Sequence, residues 1–302
     1  MRTIRVTVAV AVSVVALAIT GCGSTSDLDS GSGGGGPRPE PTIGYQLKAA
    51  GSLSGSVQAI KDKGKLVVGT KFDQPGFGLQ NPTSQQVEGF DAEIARLISI
   101  KIFGSPDKVE FKEAKTAVRE QVIENGEVDL VVATYTINAA RKEKIDFAGP
   151  YFQAGQDVLV RKDNTSIASV TDLAGKRVCT QQNSTSLKNL QDKVPGLKPQ
   201  TLDSYALCAE GVKDGTYDAL STDNVILLGL VSKSPDELKV INKPFTTEPY
   251  GIGLKKDDTE LRTFVNDALD EIFTNGDWDK AWAKTAGQFL PEAPTKPSVD
   301  RY

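Results

Sequence analysis

The sequence predicts an α/β fold spread over about two domains. Between Lys65 and Thr134, short apolar runs alternate with amphipathic helical patterns. Alternation of that kind means parallel strands joined by crossover helices. The stretch Leu130 to Ala133 is a continuous apolar run, as a strand covered on both faces requires. The 302 residues, 39% of them hydrophobic, supply material for more than one packed core.

At the start of the chain, Arg2 and Arg5 precede Val6 to Ile19, a mostly apolar stretch too short to span a bilayer as a mature helix. Residues 1–21 therefore read as a targeting segment. Ile19-Thr20-Gly21-Cys22 resembles a bacterial lipobox, in which the Cys22 sulfur is acylated and cleavage leaves it as the new N-terminus. An ordinary signal peptide with an incidental cysteine is the alternative. Removing residues 1–21 takes away two positive charges and no negative ones, moving the formal charge from -4 to -6. Residues 22–52 are rich in Gly, Ser and Pro and read as a flexible tether, with an r.m.s. span of roughly 30 Å.

The first folded unit opens with a strand over Lys65–Thr70, followed by the turning loop Lys71 to Gln80. Phe72 and Phe77 in that loop either line a cleft or cap the core. Phe90, Ile94, Leu97 and Ile98 recur at helical spacing, so Glu88–Ile98 is an amphipathic helix. Val109–Lys112 is a strand, and Thr116–Asn125 is a helix stopped by Asn125-Gly126. The strand Val128–Thr134 then ends in hydroxyls, Thr134, Tyr135 and Thr136, with Arg141 five residues further on, inside the helical turn Asn138–Lys144. Open α/β sheets hold ligands at the carboxyl ends of their strands. A guanidinium with a hydroxyl beside it matches a carboxylate, although Arg141 could equally be a surface charge.

In the second unit, Val158–Val160 and Arg177–Thr180 are strands, and Asn183 to Ser186 opens a helix carrying Leu187 and Leu190. Its N-terminus, with Ser184 and Thr185, is either an anion seat or a plain cap. The segment Gly215 to Asp223 reads as turn, strand and a terminal carboxylate, and Asp223 is either the cap of Asn224–Leu230 or a fixed anion for a buried cation.

The chain has no histidine, which excludes Ser-His-Asp and Cys-His nucleophilic sites and leaves carboxylates and cysteines as the plausible metal ligands. No metal or cofactor is expected. The basic residues form no long cluster, so a nucleic-acid partner is not expected. With Cys22 assigned to lipid, Cys179 and Cys208 remain as an even pair in an exported, oxidising setting. A disulfide is expected, with two buried free thiols as the alternative.

Gly89-Phe90-Asp91-Ala92-Glu93-Ile94 resembles the signature of the bacterial extracellular solute-binding proteins of family 3, which serve polar amino-acid ABC transporters. Thr136 with Arg141 and Asp146-Phe147-Ala148-Gly149-Pro150-Tyr151 resembles that family's T-x4-R and D-F-S-x-P-Y segment. Three further segments are similar to family motifs in the same order: Thr171–Val178, Tyr250–Leu254 and Asn275–Trp282. The resemblance is nearest to actinobacterial glutamate-binding members. It implies a two-lobed periplasmic-binding-protein-like fold of type II, each lobe a mixed sheet flanked by helices, with two hinge crossings. The lobe boundaries it implies are 53–152 and 249–302 for the first lobe and 153–248 for the second.

By the same resemblance, Arg141 with Thr136 and Thr134 takes the ligand's α-carboxylate, Thr185 and Ser184 assist, and Asp223 takes the α-ammonium. Lys71, Thr116, Arg119 and Tyr205 stand where acidic amino-acid binders hold the side-chain carboxylate, though Lys71 and Arg119 could also be solvated charges. The implied protein is a monomeric, non-enzymatic lipoprotein on the outer face of the cell membrane. It closes on glutamate or aspartate and delivers it to a permease. A glutamine or asparagine binder, a ligand sensor, or a dehydratase or lyase on the same fold are the alternatives.

Overall fold

The computed structural model describes residues 44–290 and 294–302. The expected targeting segment, Cys22 and the first part of the tether lie outside the described residues. In chain order the longer elements are α1 (Gly55–Lys63), β1 (Leu66–Thr70), β2 (Asp73–Gln74), β3 (Gly78–Gln80), β4 (Val87–Glu88), α2 (Phe90–Phe103) and β5 (Val109–Glu113). Then come α3 (Arg119–Glu124), β6 (Leu130–Val131), α4 (Ala139–Lys142), β7 (Asp146–Ala154) and β8 (Gln156–Arg161). After these follow β9 (Val178–Gln181), α5 (Thr185–Lys193), β10 (Gln200–Leu202), α6 (Tyr205–Lys213), β11 (Ala219–Asp223) and α7 (Asn224–Val231). The chain closes with β12 (Leu238–Val240), β13 (Glu248–Leu254), α8 (Thr259–Thr274) and α9 (Asp277–Lys284).

Two mixed five-stranded sheets organise the molecule. The first has the order β5-β1-β6-β13-β7, with β1 parallel to β5 and β6, and β13 antiparallel to β6 and β7. The second has the order β10-β9-β11-β8-β12, with β9 parallel to its neighbours and β8 antiparallel to both of its own. Gly155 alone separates β7 of the first sheet from β8 of the second, and β13 returns the chain to the first sheet. This is the two-lobed α/β architecture expected.

The first sheet is covered on both sides, which is why β1 reads as an unbroken apolar run. Leu66 and Val68 pack with Phe90, Ile94, Leu97 and Ile98 of α2, while Val67 belongs to a separate cluster with Val131, Ala133, Tyr135 and Phe147. The former cluster extends into aromatic rings, with Phe152, Trp278 and Trp282 stacked at 5.5 to 6.5 Å between centroids. Burying such rings contributes on the order of 2–3 kcal/mol each.

Two expectations need correction. The tether does not reach residue 52. The main-chain N–H groups of Gln46 and Leu47 both donate to Asp277 at 2.8 Å, the Tyr45 hydroxyl donates to Glu93 at 2.5 Å, and Leu47 is buried. The apolar pair Tyr45 and Leu47 supplies the surface that a Gly/Ser tether lacks. The strand expected over Val128–Thr134 is also shorter. Thr134 turns out of it at φ +45°, a left-handed conformation uncommon outside glycine, with its N–H donating to Asp91 Oδ2 at 2.8 Å.

Candidate functional site

A narrow cavity, with about 10 Å3 open to the centre of a water molecule, lies between the two sheets. The first sheet's side contributes Thr134, Thr136, Thr116 and Arg119, together with Gln74. The second sheet's side contributes Ser184, Thr185 and Ser186 at the start of α5, Tyr205 at the start of α6, Asp223 at the end of β11, and Ile226. The strand ends and helix starts thus converge as the carboxyl-end rule requires. Eight of the residues singled out from sequence are brought together here.

Asp223 occupies the position preceding α7, but its side chain makes no capping bond there. One carboxylate oxygen instead accepts the Tyr250 hydroxyl at 2.6 Å, and Oδ1 is buried without a partner. Burial, reinforced by Glu248, pushes the Asp223 carboxyl up to about 7, and Tyr250, Arg141 and Arg119 pull against it. Arg119 opens α3 and donates from Nη1 to Ala133 O at 2.8 Å, while its Nε is buried and unpartnered. An unpartnered anion atom and an unpartnered cation atom in one cavity are complementary to a zwitterion.

Lys71 does not line the cavity but backs it. Its Nζ donates to Thr116 Oγ1 at 3.3 Å and lies 3.9 Å from Asp73. Burial pulls the ammonium down to about 8 against the opposing pull of Asp73. Thr116 Oγ1 in turn donates to Gln181 Oε1 at 2.9 Å, and Tyr250 of the first sheet donates to Asp223 of the second, so two hydrogen bonds join the lobes across the site. Ser184 is committed as the cap of α5, accepting the Leu187 N–H at 3.0 Å and donating to Gln181 O at 2.6 Å.

Besides Lys71, three more of the expected site residues stand apart from the cavity wall. Arg141 is buried behind it, donating from Nη1 to Thr136 O at 2.6 Å and pairing from Nε with Glu120 at 3.2 Å. Burial first, then the Arg119 charge, hold its pKa below the usual arginine range. Phe77 is fully buried against Phe90, Phe152 and Tyr250, and is a core side chain rather than a cleft wall. Its backbone lies between Gly76 and Gly78, which lets the loop turn the ring inward. Phe72 is half-buried and does not reach the cavity.

Sequence reasoning missed Gln74, Ser186, Ile226, Gln181 and Tyr250. Gln181 ends β9, so the rule that found Thr134 and Asp223 would have found it. Gln74 accepts the Thr134 hydroxyl at 2.9 Å and carries no such signal. Asp91 belongs to the Gly89–Ile94 motif. It is fully buried, accepts Thr134 N–H and the Tyr151 hydroxyl at 2.6 Å, and burial pushes its carboxyl up to about 6. A disulfide joins Cys179 of β9 to Cys208 of α6, tying the strand that ends in Gln181 to the helix that begins with Tyr205.

The model of the bacterial extracellular solute-binding proteins of family 3 matches residues 66–288. The glutamate-binding protein GluB of Corynebacterium glutamicum is 38% identical over 259 residues, covering 81% of this chain and 87% of that protein. The glutamine-binding ABC transporter protein GlnH of Bacillus subtilis is 39% identical over 234 residues, covering 77% and 85%. Among solved structures, the ancestral amino acid-binding protein AncCDT-1, a precursor of cyclohexadienyl dehydratase, superposes with a TM-score of 0.70 at 31% identity, over 78% of this chain and 100% of that one. The match of a family model across both sheets and the cavity between them leaves one conclusion: the chain belongs to the bacterial extracellular solute-binding proteins, family 3.

Proposed function

We propose that this protein is the receptor of an amino-acid ABC importer and that its ligand is an acidic amino acid, glutamate before aspartate. Similarity alone leaves the choice open, because a glutamate binder and a glutamine binder are matched almost equally. One observation carries the choice: Arg119, with an unpartnered Nε, and Asp223, with an unpartnered Oδ1, line the same cavity, and Lys71 stands behind Thr116. The α-ammonium goes to Asp223. The α-carboxylate goes to Thr136 and Thr185, with the Arg141 charge behind Thr136, and the distal carboxylate goes to Arg119, Thr116 and Lys71. An amide in that last place would leave buried cations uncompensated, at a cost of several kcal/mol.

Closure of the two lobes around the ligand completes these contacts together, so binding favours the closed form. The lobe boundaries proposed are those expected from sequence, with the first lobe extended back to Gly44. Cys22 carries the lipid, residues 1–21 are removed, and the protein works as a monomer on the outer face of the membrane beside its permease.

Calorimetry of the mature protein against glutamate, aspartate, glutamine and asparagine tests the proposal. Glutamate binds tightest. Arg119→Ala penalises the two diacids selectively, and Arg141→Ala weakens all four. Tighter binding of glutamine by the wild type overturns the acidic assignment. The likeness to a dehydratase precursor, with a carboxyl held near neutrality, supports a second, enzymatic reading. Glutamate recovered unchanged after prolonged incubation eliminates it for this ligand.

A further inference from the structure

Tyr135 lies between Thr134 and Thr136, which both line the cavity, yet its own ring is fully buried in the cluster with Ala133, Ile145 and Phe147. Two guanidiniums lie over that one ring. The Arg119 Cζ is 4.1 Å and the Arg141 Cζ 4.8 Å from its centroid. They arrive from different elements, α3 and α4, and each is also fixed by a main-chain oxygen beside the ring, Ala133 O for Arg119 and Thr136 O for Arg141.

Both arginines are buried, and Glu120, paired with Arg141, is the one carboxylate in a salt bridge with either among the described residues. Two like charges brought together away from water repel each other strongly. The negative face of an aromatic ring offsets part of that repulsion and fixes where the two planes lie. The remainder is offset when anionic charge enters the cavity.

We infer that Tyr135 is a specificity-determining positioning residue. Its ring anchors both the Arg119 and the Arg141 guanidinium, and the resulting dication selects a ligand with two carboxylates over one with a carboxylate and an amide. This rests on the acidic-ligand proposal above and names the residue that sets its selectivity. The working part is the ring, which both guanidiniums face, while the hydroxyl lies toward Glu120.

The experiment is calorimetry with glutamate and with glutamine on the wild type, Tyr135→Phe and Tyr135→Leu, alongside thermal melting of each. Tyr135→Phe keeps the π face and should keep the glutamate-to-glutamine affinity ratio within about twofold. Tyr135→Leu removes it, and the ratio should fall on the order of tenfold, through loss of glutamate affinity. Tyr135→Met, which fills similar space without a π face, serves the same purpose should the Leu variant not fold. A wild type that prefers glutamate, with Leu or Met variants that weaken both ligands equally or change only the melting temperature, reduces Tyr135 to core packing and overturns the inference. A wild type that prefers glutamine instead overturns the acidic-ligand proposal itself. The two failures are therefore distinguishable.

Discussion

Ligand affinity should be linked to the protonation of Asp223. Its carboxyl sits at about 7 in the folded, unliganded protein, against 3.8 for an ordinary aspartate, chiefly because it is buried. The folded chain therefore holds a proton that the unfolded chain has already released between pH 4 and 7. For this group alone, unliganded stability falls as pH rises through that window, by about 4 kcal/mol in total. An α-ammonium needs the ionised form, so binding below neutrality must first expel the proton. At pH 5 about one molecule in 100 is ionised at this site, against nearly all at pH 8, which weakens glutamate binding about 100-fold. Calorimetry at half-unit steps in buffers of different ionisation enthalpy measures both the slope and the proton released. Two other groups titrate nearby: Asp91 at about 6, which faces Thr134 and Tyr151, and Lys71 at about 8, which stays charged on the acid side. Asp223→Asn separates them, since it should bind weakly with a nearly flat profile. A wild-type change under threefold between pH 8 and 5, or the same slope in Asp223→Asn, refutes the assignment.

Tyr250→Phe removes the hydrogen bond that stabilises ionised Asp223, so the midpoint of the same profile should rise by about one unit and affinity at pH 7 should fall roughly fivefold. Reduction of the Cys179–Cys208 disulfide, which closes a separation of 29 residues, should cost about 3–4 kcal/mol and lower Tm by about 10 °C in a melting experiment; an unchanged Tm shows that the link adds nothing. Phe77→Ala should cost about 3–5 kcal/mol in denaturant unfolding while leaving the glutamate-to-glutamine ratio intact. A shifted ratio with little loss of stability would return Phe77 to the cleft wall.

Much of the first lobe was legible because its elements carry their own periodicity. Leu66 to Thr70 and the α2 residues Phe90, Ile94, Leu97 and Ile98 all pack where their spacing puts them. The α8 helix was readable on the same grounds, from buried Leu261, Val265, Leu269 and Ile272, and went unassigned. Strands β2, β4, β10 and β12 are two or three residues long, too short to show a period of two. Insertion of β13 between β6 and β7 is non-local, so no window of sequence contains it; only the family motifs anticipated a return to the first lobe.

The site was legible by residue type and strand position, and illegible wherever the direction of a side chain decides its role. Arg119 and Glu120 are adjacent in sequence at the start of α3, and a helix rotates successive side chains by about 100°. One therefore lines the cavity while the other pairs with Arg141 outside its wall. Reading Arg141 as the direct carboxylate contact follows from its motif, yet two of its nitrogens are engaged by Thr136 O and Glu120. On the proposed function, its contribution is a field and a fixed neighbour for Arg119, with the Tyr135 ring against both. Three cations, Lys71, Arg119 and Arg141, are each at most 7% exposed around one small cavity. Asp91, Asp223 and Glu120 offset part of that buried charge, and an anionic ligand would offset more of it. On the proposal of an acidic ligand, it is the count and burial of these charges, which only the folded chain displays, that would separate a dicarboxylate site from an amide site built on the same motifs.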